Sequence, residues 1–448
     1  MKIPVSPPEL SQLIRTLGPD RIVQVFGRSF GAAPDGKYRH WDTLRHIAPP
    51  HGLSSEEWWV AVKAARRASY VPLPLLDKQG RQFQFAPVDV LQQMLMKVDR
   101  DASGRIQASE PVTDPETRDT YLLKGLMEEA ITSSQLEGAS TTREVAKEMI
   151  QRGRPPRTHD ERMIYNNYQA LLFLRRMGEN LLTPSMIFEL HRILTDGTLE
   201  DPGAAGRFRT EDEAICVMDH GDAILHMPPS ASELPGRLEA LCRFANGTDD
   251  GGRFIHPVVR AIALHFWLAY DHPFVDGNGR TARALFYWMM ARQGYWLCEF
   301  VSISRILKRA PSRYARSFLY TETDDNDLTY FVLSQLKVIL AAIADLFEYL
   351  EVKQRQIAAT QRLLHRSERL RERLNFRQVA LIRHAMNHPA YSYTIESHRQ
   401  SHNVSYATAR TDLLKLVEVG LLDQENGPRR LLLFVAPHDL RARIERVA

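Results

Sequence analysis

His272-Pro273-Phe274-Val275-Asp276-Gly277-Asn278-Gly279-Arg280-Thr281-Ala282-Arg283 decides the reading of this chain. These residues put a proton acceptor, a hard-metal ligand, two glycines and two arginines into one short segment. A helix ending near Asp271 and another starting near Asn278 would leave most of them in the turn between. Asn278 is then expected to cap the second helix, whose unpaired N–H groups and dipole both favour an anion. Gly277 and Gly279 let phosphate oxygens approach the backbone. Arg280 and Arg283, three residues apart, are expected to share a face and both reach that anion. Asp276 is a carboxylate suited to a magnesium ion bridging phosphates, and His272 can take a proton near neutral pH. Each residue taken alone reads better as packing, turn or surface. In this order they have no packing purpose, so nucleotide chemistry is the better reading. The segment is not a Walker loop, because no Gly-x-x-x-x-Gly-Lys-[Ser/Thr] occurs. His256 and His265 read as packing or hydrogen-bonding residues rather than metal ligands.

Working outward, a chain of 448 residues is too long for one ordinary domain, so two or three are expected. With 44% hydrophobic and 25% charged residues it falls in the soluble globular class. A formal charge of +4 is too small to imply nucleic-acid binding by itself. The cysteines Cys216, Cys242 and Cys298 are odd in number and widely spaced. They suit neither a disulfide framework nor a zinc knuckle, and a reducing cytoplasm is the simplest home. The N-terminal residues lack the apolar core of a signal peptide, and runs such as Val338 to Ala344 are too short to cross a bilayer. A cytoplasmic protein without a membrane partner is expected.

Helical periodicity starts at about residue 116. Residues 121–131, 160–177, 232–245, 257–271 and 279–293 read as helices, with Gly294 closing the last. Thr183-Pro184-Ser185 opens another, threonine capping and proline in the first turn. One interruption reads as a hairpin: Ala214–Met218 and Ala223–Met227 flank Asp219-His220-Gly221-Asp222. Before residue 116, Ser54-Ser55-Glu56-Glu57 reads as a helix start, and residues 71–87 as loop and short strand. Residues 345–375 read as a long charged connecting helix. Beyond them, helices at Asn375–Met386, Thr394–Ser401 and Ser405–Val419 precede a strand pair around Gly427-Pro428. That order is a winged helix-turn-helix by pattern.

The central segment resembles the signature His-x-Phe-x-[Asp/Glu]-Gly-Asn-Gly-Arg-x-x-Arg of the Fic family and matches it at every position. The resemblance extends over about residues 116–335, through Tyr168, Ala170-Leu171, Leu190-His191, Gly206-Arg207-Phe208-Arg209 and His226-Met227-Pro228-Pro229. It implies a helical Fic domain that transfers AMP from Mg-ATP to a hydroxyl side chain of a protein. On that resemblance His272 is the general base and Phe274 the loop's anchor in the core. Asp276 holds Mg2+, Gly277, Asn278 and Gly279 bind near the α-phosphate, Arg280 grips the inner phosphates and Arg283 the γ-phosphate. Thr281 and Ala282 complete the nucleotide-binding run, and Tyr314 resembles a position near the adenine. The hairpin resembles the family's flap, which holds a target segment by strand addition. Upstream, Ser133-Ser134-Gln135-Leu136-Glu137-Gly138 resembles the inhibitory pattern [Ser/Thr]-x-x-x-Glu-[Gly/Asn]. It implies that Glu137 pairs with Arg283 and blocks the γ-phosphate; without the resemblance it is an ordinary helix end with Gly138 as its stop.

The expected architecture is mostly α: a module over 1–115, a Fic core with a β-hairpin flap and inhibitory helix over 116–345, a connecting helix over 346–375, and a winged helix-turn-helix over 376–448. The leading expectation is a self-inhibited protein adenylyltransferase acting on Ser, Thr or Tyr, with ATP as substrate. Removal of AMP from a modified protein would use the same residues. A nucleotide-sensing regulator that binds DNA through Arg410, Lys415, Arg429 and Arg430 is the non-enzyme alternative, the bland reading of that module being protein contact. Self-modification and a homodimer stay open, as do the base preference, the target and the signal that releases Glu137.

Overall fold

A computed structural model describes residues 2–27, 30–103, 115–219, 223–248, 252–366, 373–387, 391–426 and 432–447. The expected hairpin turn at 220–222 and the arginines Arg429 and Arg430 lie outside the described residues. The chain divides into two compact units, Met1–Leu346 and Phe347–Ala448.

In the first unit the buried helix Pro257–Asp271 packs along the helix Asn278–Arg292. We term them the central and the motif helix. Thirteen of the fifteen residues of the central helix are buried, including Ile262, Leu264, Phe266 and Leu268 at no exposure. A helix apolar on all sides has to be surrounded, and neighbours do surround it. His159–Met177 and Pro184–Thr195 pack on the motif helix, and Leu234–Asn246 packs on the central one. The threonine caps Thr158 and Thr183 each accept a hydrogen bond from the third helical residue. A further helix, Pro115–Leu136, runs beside His159–Met177 and is followed by Arg143–Arg152. It is pinned at two points. Gly125 lies so close to Phe300 that a Cβ there would sit 2.8 Å from the Phe300 backbone. The buried Glu129 carboxylate accepts from Tyr287 Oη, Ser302 Oγ and Ser304 N at 2.9, 2.7 and 3.1 Å.

Residues before 104 belong to this same unit rather than to a separate one. Ser54 and Glu57 form the expected capping box of helix Ser55–Ser69. The strands Val71–Leu76 and Gln82–Phe85 form an antiparallel pair. Lys63, 2% exposed, reaches Asp324 Oδ1 at 2.5 Å, and Arg66 Nη1 donates to Tyr330 Oη at 2.6 Å. Both cations are buried with their partners, which ties this region to the turn after helix Pro311–Thr323 and to the start of the helix that follows at Thr329.

The expected connecting helix is part of one continuous helix, Thr329–Arg366. Its stretch Thr329–Val352 is long and apolar enough to cross a bilayer by length and composition. That differs from the expectation that every apolar run is too short. In its most apolar 18-residue window 56% of the residues are buried inside the protein, with Phe331 against Phe266 and Phe318, as in a core helix.

The second unit has helices Phe376–Asn387, Ile395–His402 and Tyr406–Glu418 and a small sheet in the order Ser392–Tyr393, Leu432–Val435, Asp423–Asn426. The strand at Ser392–Tyr393 is an addition to the expected pair. Its core includes Leu381, Ile382, Leu413, Leu416 and Phe434. Asp412 binds Arg377, Asn375 and His398 across the three helices. Arg410 is exposed, while Lys415 is paired with Glu418 at 3.0 Å.

Candidate active site

The central helix ends where His272 adopts φ +47°, its amide still bonded to the Leu268 carbonyl at 3.0 Å. This left-handed step is uncommon for a residue with a side chain, and it turns the chain toward the motif helix. Three contacts hold the resulting loop. Phe274, fully buried, stacks on the His191 ring with centroids 3.8 Å apart. His191 accepts from the Gly206 amide at Nδ1 (2.9 Å), so its Nε2 carries the hydrogen donated to the Asp276 carbonyl (2.9 Å). Arg209 donates to the carbonyls of His272 (Nε, 2.8 Å) and Pro229, and its amide to that of Pro273 (2.9 Å).

Asn278 differs from expectation. The motif helix is capped by Gly277 at φ +82°, and Asn278 is its first residue. The Asn278 side chain accepts from the Phe274 amide at 2.9 Å and donates to its carbonyl at 2.7 Å. It closes the loop instead of capping the helix. A buried loop leaves peptide groups that water cannot reach, and the amide side chain satisfies two of them.

The two arginines also part. Arg280, fully buried, turns inward to the Leu194 carbonyl (3.1 Å) and to Asp276 Oδ2 (2.9 Å), with Nε unpaired. Arg283 turns the other way, its Nε donating to Ser133 Oγ (2.9 Å) and its Nη2 to the Ser133 carbonyl (3.1 Å) and Glu137 Oε1 (2.7 Å). Residues three apart on a helix share a face only approximately, and long side chains diverge to whichever acceptor lies nearest. Thr281 bonds the Gly277 carbonyl at 2.8 Å, and Ala282 is fully buried. Most of the segment therefore does have a packing role, and only part of it meets open space.

That space is a cleft of roughly 760 Å³, counted with its open mouth, bordered by Glu137, His272, Gly279, Arg283 and Tyr314. Its further wall carries Phe318 and Leu319 from helix Pro311–Thr323, with Val217 and Leu225 from the hairpin. The hairpin strands are Val217–Met218 and Ile224–His226, shorter than expected. Met218 and Ile224 are half exposed.

The His272 ring presents Nδ1 to the Ala269 carbonyl at 3.2 Å. A carbonyl only accepts, so Nδ1 carries the hydrogen and Nε2 keeps its lone pair for the cleft. Burial, with His226 and Arg209 nearby, lowers the His272 pKa to about 4 against the opposing pull of the Ala269 carbonyl and Glu137. The ring is neutral at pH 7, so Nε2 is available to accept a proton. Asp276 is exposed and uses one oxygen on Arg280. Among the described residues no group of three metal-ligating side chains occurs. A lone carboxylate suits an ion that takes its other ligands from phosphate and water.

Glu137 lies in the turn after helix Pro115–Leu136, its amide on the Ser134 carbonyl, and Gly138 follows at φ +102°. Its side chain is about one-third exposed (32%). Tyr314 Oη meets His265 Nε2 at 2.8 Å, and Tyr314 borders the same cleft as Arg283. Three groups that sequence reasoning left without a role complete the site. Arg209 and His191 hold the loop, and His226 bridges Glu322 (Nδ1, 2.8 Å) and the Tyr270 carbonyl (Nε2, 2.7 Å). Arg209, His191 and His226 sit in short motifs that pointed to them; Glu322 had no such signal.

Residues 181–290 match the model of the Fic/DOC family. The chain is 28% identical over 209 residues to the protein adenylyltransferase Fic of Nematostella vectensis, covering 46% of each chain. It is 33% identical over 114 residues to the protein adenylyltransferase Fic of Drosophila melanogaster, covering 25% of this chain and 21% of that one. The chain thus spans less than half the length of these relatives. A solved Fic family protein from Desulfovibrio desulfuricans G20 superposes with a TM-score of 0.51 at 17% identity, over 79% of this chain and 98% of that one. At that identity the likeness is one of fold.

Proposed function

We propose that this chain, whose residues 181–290 match the Fic/DOC family model, is a self-inhibited protein adenylyltransferase of that family that moves AMP from ATP to a hydroxyl side chain. The observation that carries the reading is His272, its Nδ1 on the Ala269 carbonyl and its Nε2 left for a cleft that the buried cation Arg283 also borders. The target oxygen attacks the α-phosphorus as His272 Nε2 takes its proton; the α–β anhydride bond breaks and pyrophosphate leaves. Peptide N–H groups at Gly279 and the dipole of the motif helix favour the charge on the transferring phosphate. Arg283 faces the terminal phosphates. Arg280 acts by holding Asp276 and the loop. Asp276 would hold Mg2+, which supplies charge neutralisation on the phosphates. The strand Ile224–His226, with Ile224 half exposed at its start, is the edge that would take an extended target segment. Glu137 inhibits by occupying Arg283 and covering Gly279.

Transfer of label from α-phosphate-labelled ATP with magnesium tests this on the protein itself and on cell lysate. Glu137→Gly should raise labelling above wild type. His272→Ala in that background should lower it by about 10²–10⁴-fold, the usual contribution of a general base. Equal labelling in wild type and Glu137→Gly would remove the inhibitory role. Persistence in the double variant would remove His272 as base. For the second unit we propose a winged helix-turn-helix, whose exposed Arg410 makes duplex DNA a partner to test by binding at low and rising salt.

A further inference from the structure

The hairpin that borders the cleft has little pairing of its own. Its strands Val217–Met218 and Ile224–His226 share two registered pairs, and the Asp219 amide donates to the Ala223 carbonyl at 3.0 Å. A hairpin this short is marginal by itself, so its edge has to be fixed by its surroundings. His226, 9% exposed, does this. Its ring lies tilted against that of Tyr270, with centroids 4.7 Å apart. Its Nε2 meets the Tyr270 carbonyl at 2.7 Å, and its Nδ1 meets Glu322 Oε2 at 2.8 Å. Tyr270 precedes His272 by two residues on the central helix, and Glu322 belongs to the cleft-wall helix Pro311–Thr323. One side chain thus ties the hairpin edge both to the helix end that carries the base and to the cleft wall.

A proton count fixes its charge. A carbonyl only accepts, so Nε2 carries a hydrogen. A carboxylate also only accepts, so both contacts together need one proton more than a neutral ring and a carboxylate hold. Imidazole is the stronger base, and Glu322 is partly exposed (23%), so that proton sits on Nδ1. Without it, one hydrogen would serve two acceptors and one tie would break. The other charged and titratable groups around the pair have partners elsewhere. Asp271 accepts from Arg237 Nε and Trp267 Nε1 at 2.9 Å each, and Arg209 donates to the His272 and Pro229 carbonyls. Lys78 Nζ reaches the Met227 carbonyl at 3.5 Å, while its amide donates to Tyr270 Oη at 3.2 Å. His272 Nδ1 is on the Ala269 carbonyl, and Glu137 is on Arg283.

We propose that His226, charged and clamped between Glu322 and the Tyr270 carbonyl, is a positioning residue that sets the hairpin edge for an extended target segment beside His272. It acts on the protein substrate rather than on the nucleotide. This rests on the reading of the hairpin edge as the seat of the target.

The test uses the full chain with Glu137→Gly, adding Glu322→Ala, Glu322→Gln or His226→Phe. It measures labelling of cell-lysate proteins from α-phosphate-labelled ATP, ATP binding by calorimetry, nitrogen NMR shifts of the His226 ring, and amide exchange. Both ring nitrogens should read as protonated at pH 7. Glu322→Ala and His226→Phe should each lower labelling by about tenfold, the scale of a hydrogen bond to a charged group. Both should speed amide exchange at Ile224 and Leu225 while ATP affinity is kept. In Glu322→Gln the amide can donate to Nδ1 of a neutral ring whose Nε2 still donates to Tyr270. That variant should recover most of the labelling. It should also remove the loss that the parent shows once higher pH strips Nδ1. A neutral His226 at pH 7, a Glu322→Gln variant as weak as Glu322→Ala at equal thermal stability, or an ATP affinity that falls with labelling would each overturn the proposal. A Glu137→Gly parent that labels no protein would instead overturn the adenylyltransferase reading, and the ring shifts and amide exchange would still decide the clamp.

Discussion

Glu137 and Arg283, 146 residues apart, meet in a 2.7 Å ion pair. A Cβ built on Gly279 would collide with the same Glu137 Oε1. One carboxylate thus occupies both the guanidinium and the glycine surface that a phosphate would need. Arg283 is 1% exposed and the Glu137 side chain about one-third exposed, so water screens the pair less than an ordinary surface bridge but still reaches the carboxylate.

Glu137→Gln separates charge from shape. The amide oxygen can still accept from Arg283, but the Coulombic part is lost. ATP affinity should rise by about fivefold over wild type, roughly 1 kcal/mol, and remain below that of Glu137→Gly. Calorimetric titration of the three proteins checks the order. A Glu137→Gln variant no different from wild type would mean that the carboxylate inhibits by bulk alone.

Gly125→Ala sets two effects against each other. In a helix interior alanine is favoured over glycine by about 1 kcal/mol. Here the added methyl would lie 2.8 Å from Phe300 backbone atoms, which cannot swing aside. The steric effect should win, lowering the unfolding temperature and raising label transfer as the helix that carries Ser133 shifts. A gain in stability would show that the helix can move without cost.

Phe274→Ala should destabilise the first unit by about 3–5 kcal/mol, the range for a buried aromatic, because the ring is fully buried on His191. Labelling should be lost even in the Glu137→Gly background. Phe274→Leu should recover stability more than activity, since it fills space without the stack. Denaturant titration with parallel labelling separates the two.

Acid should destabilise the fold before the carboxylates titrate. Burial holds His40, His191 and His272 at about 4 and His265 at about 3, whereas the unfolded chain takes up these protons near 6.5. The unfolded state binds more protons in that interval, so stability is lost as pH falls from about 6.5 toward 4. Asp271, raised to about 6 by burial, opposes this, because its folded form gains a proton first. The slope should approach about 1.4 kcal/mol per pH unit for each uncompensated histidine. Urea midpoints at pH 7, 6 and 5 should fall in order; a flat series would contradict the burial of these rings. The His272 base itself should stay unprotonated from pH 6 to 8.

Much of the helical frame was legible because amphipathic periodicity and threonine caps are local. Helices expected at 160–177 and 257–271 appear at His159–Met177 and Pro257–Asp271. The short hairpin was legible in place but not in length, since two-residue strands depend on what they pack against. The extent of the N-terminal region's attachment was not legible. Lys63 and Arg66 look like surface residues of an amphipathic helix until Asp324 and Tyr330 arrive from 260 residues away in sequence.

The sequence by itself determined the turn chemistry of residues 272–283 and the presence of a matching Ser133–Gly138 pattern, because residue type and spacing specify both. Only the tertiary structure decided where the long side chains go. Arg280 and Arg283 are equivalent by spacing, yet one is drawn inward by Leu194 and Asp276 and the other toward Ser133 and Glu137. A guanidinium on a flexible stem follows the nearest desolvated acceptors, and those come from segments distant in sequence. The same reason left Glu322 unmarked: its significance lies in a partner, and partners are chosen by packing.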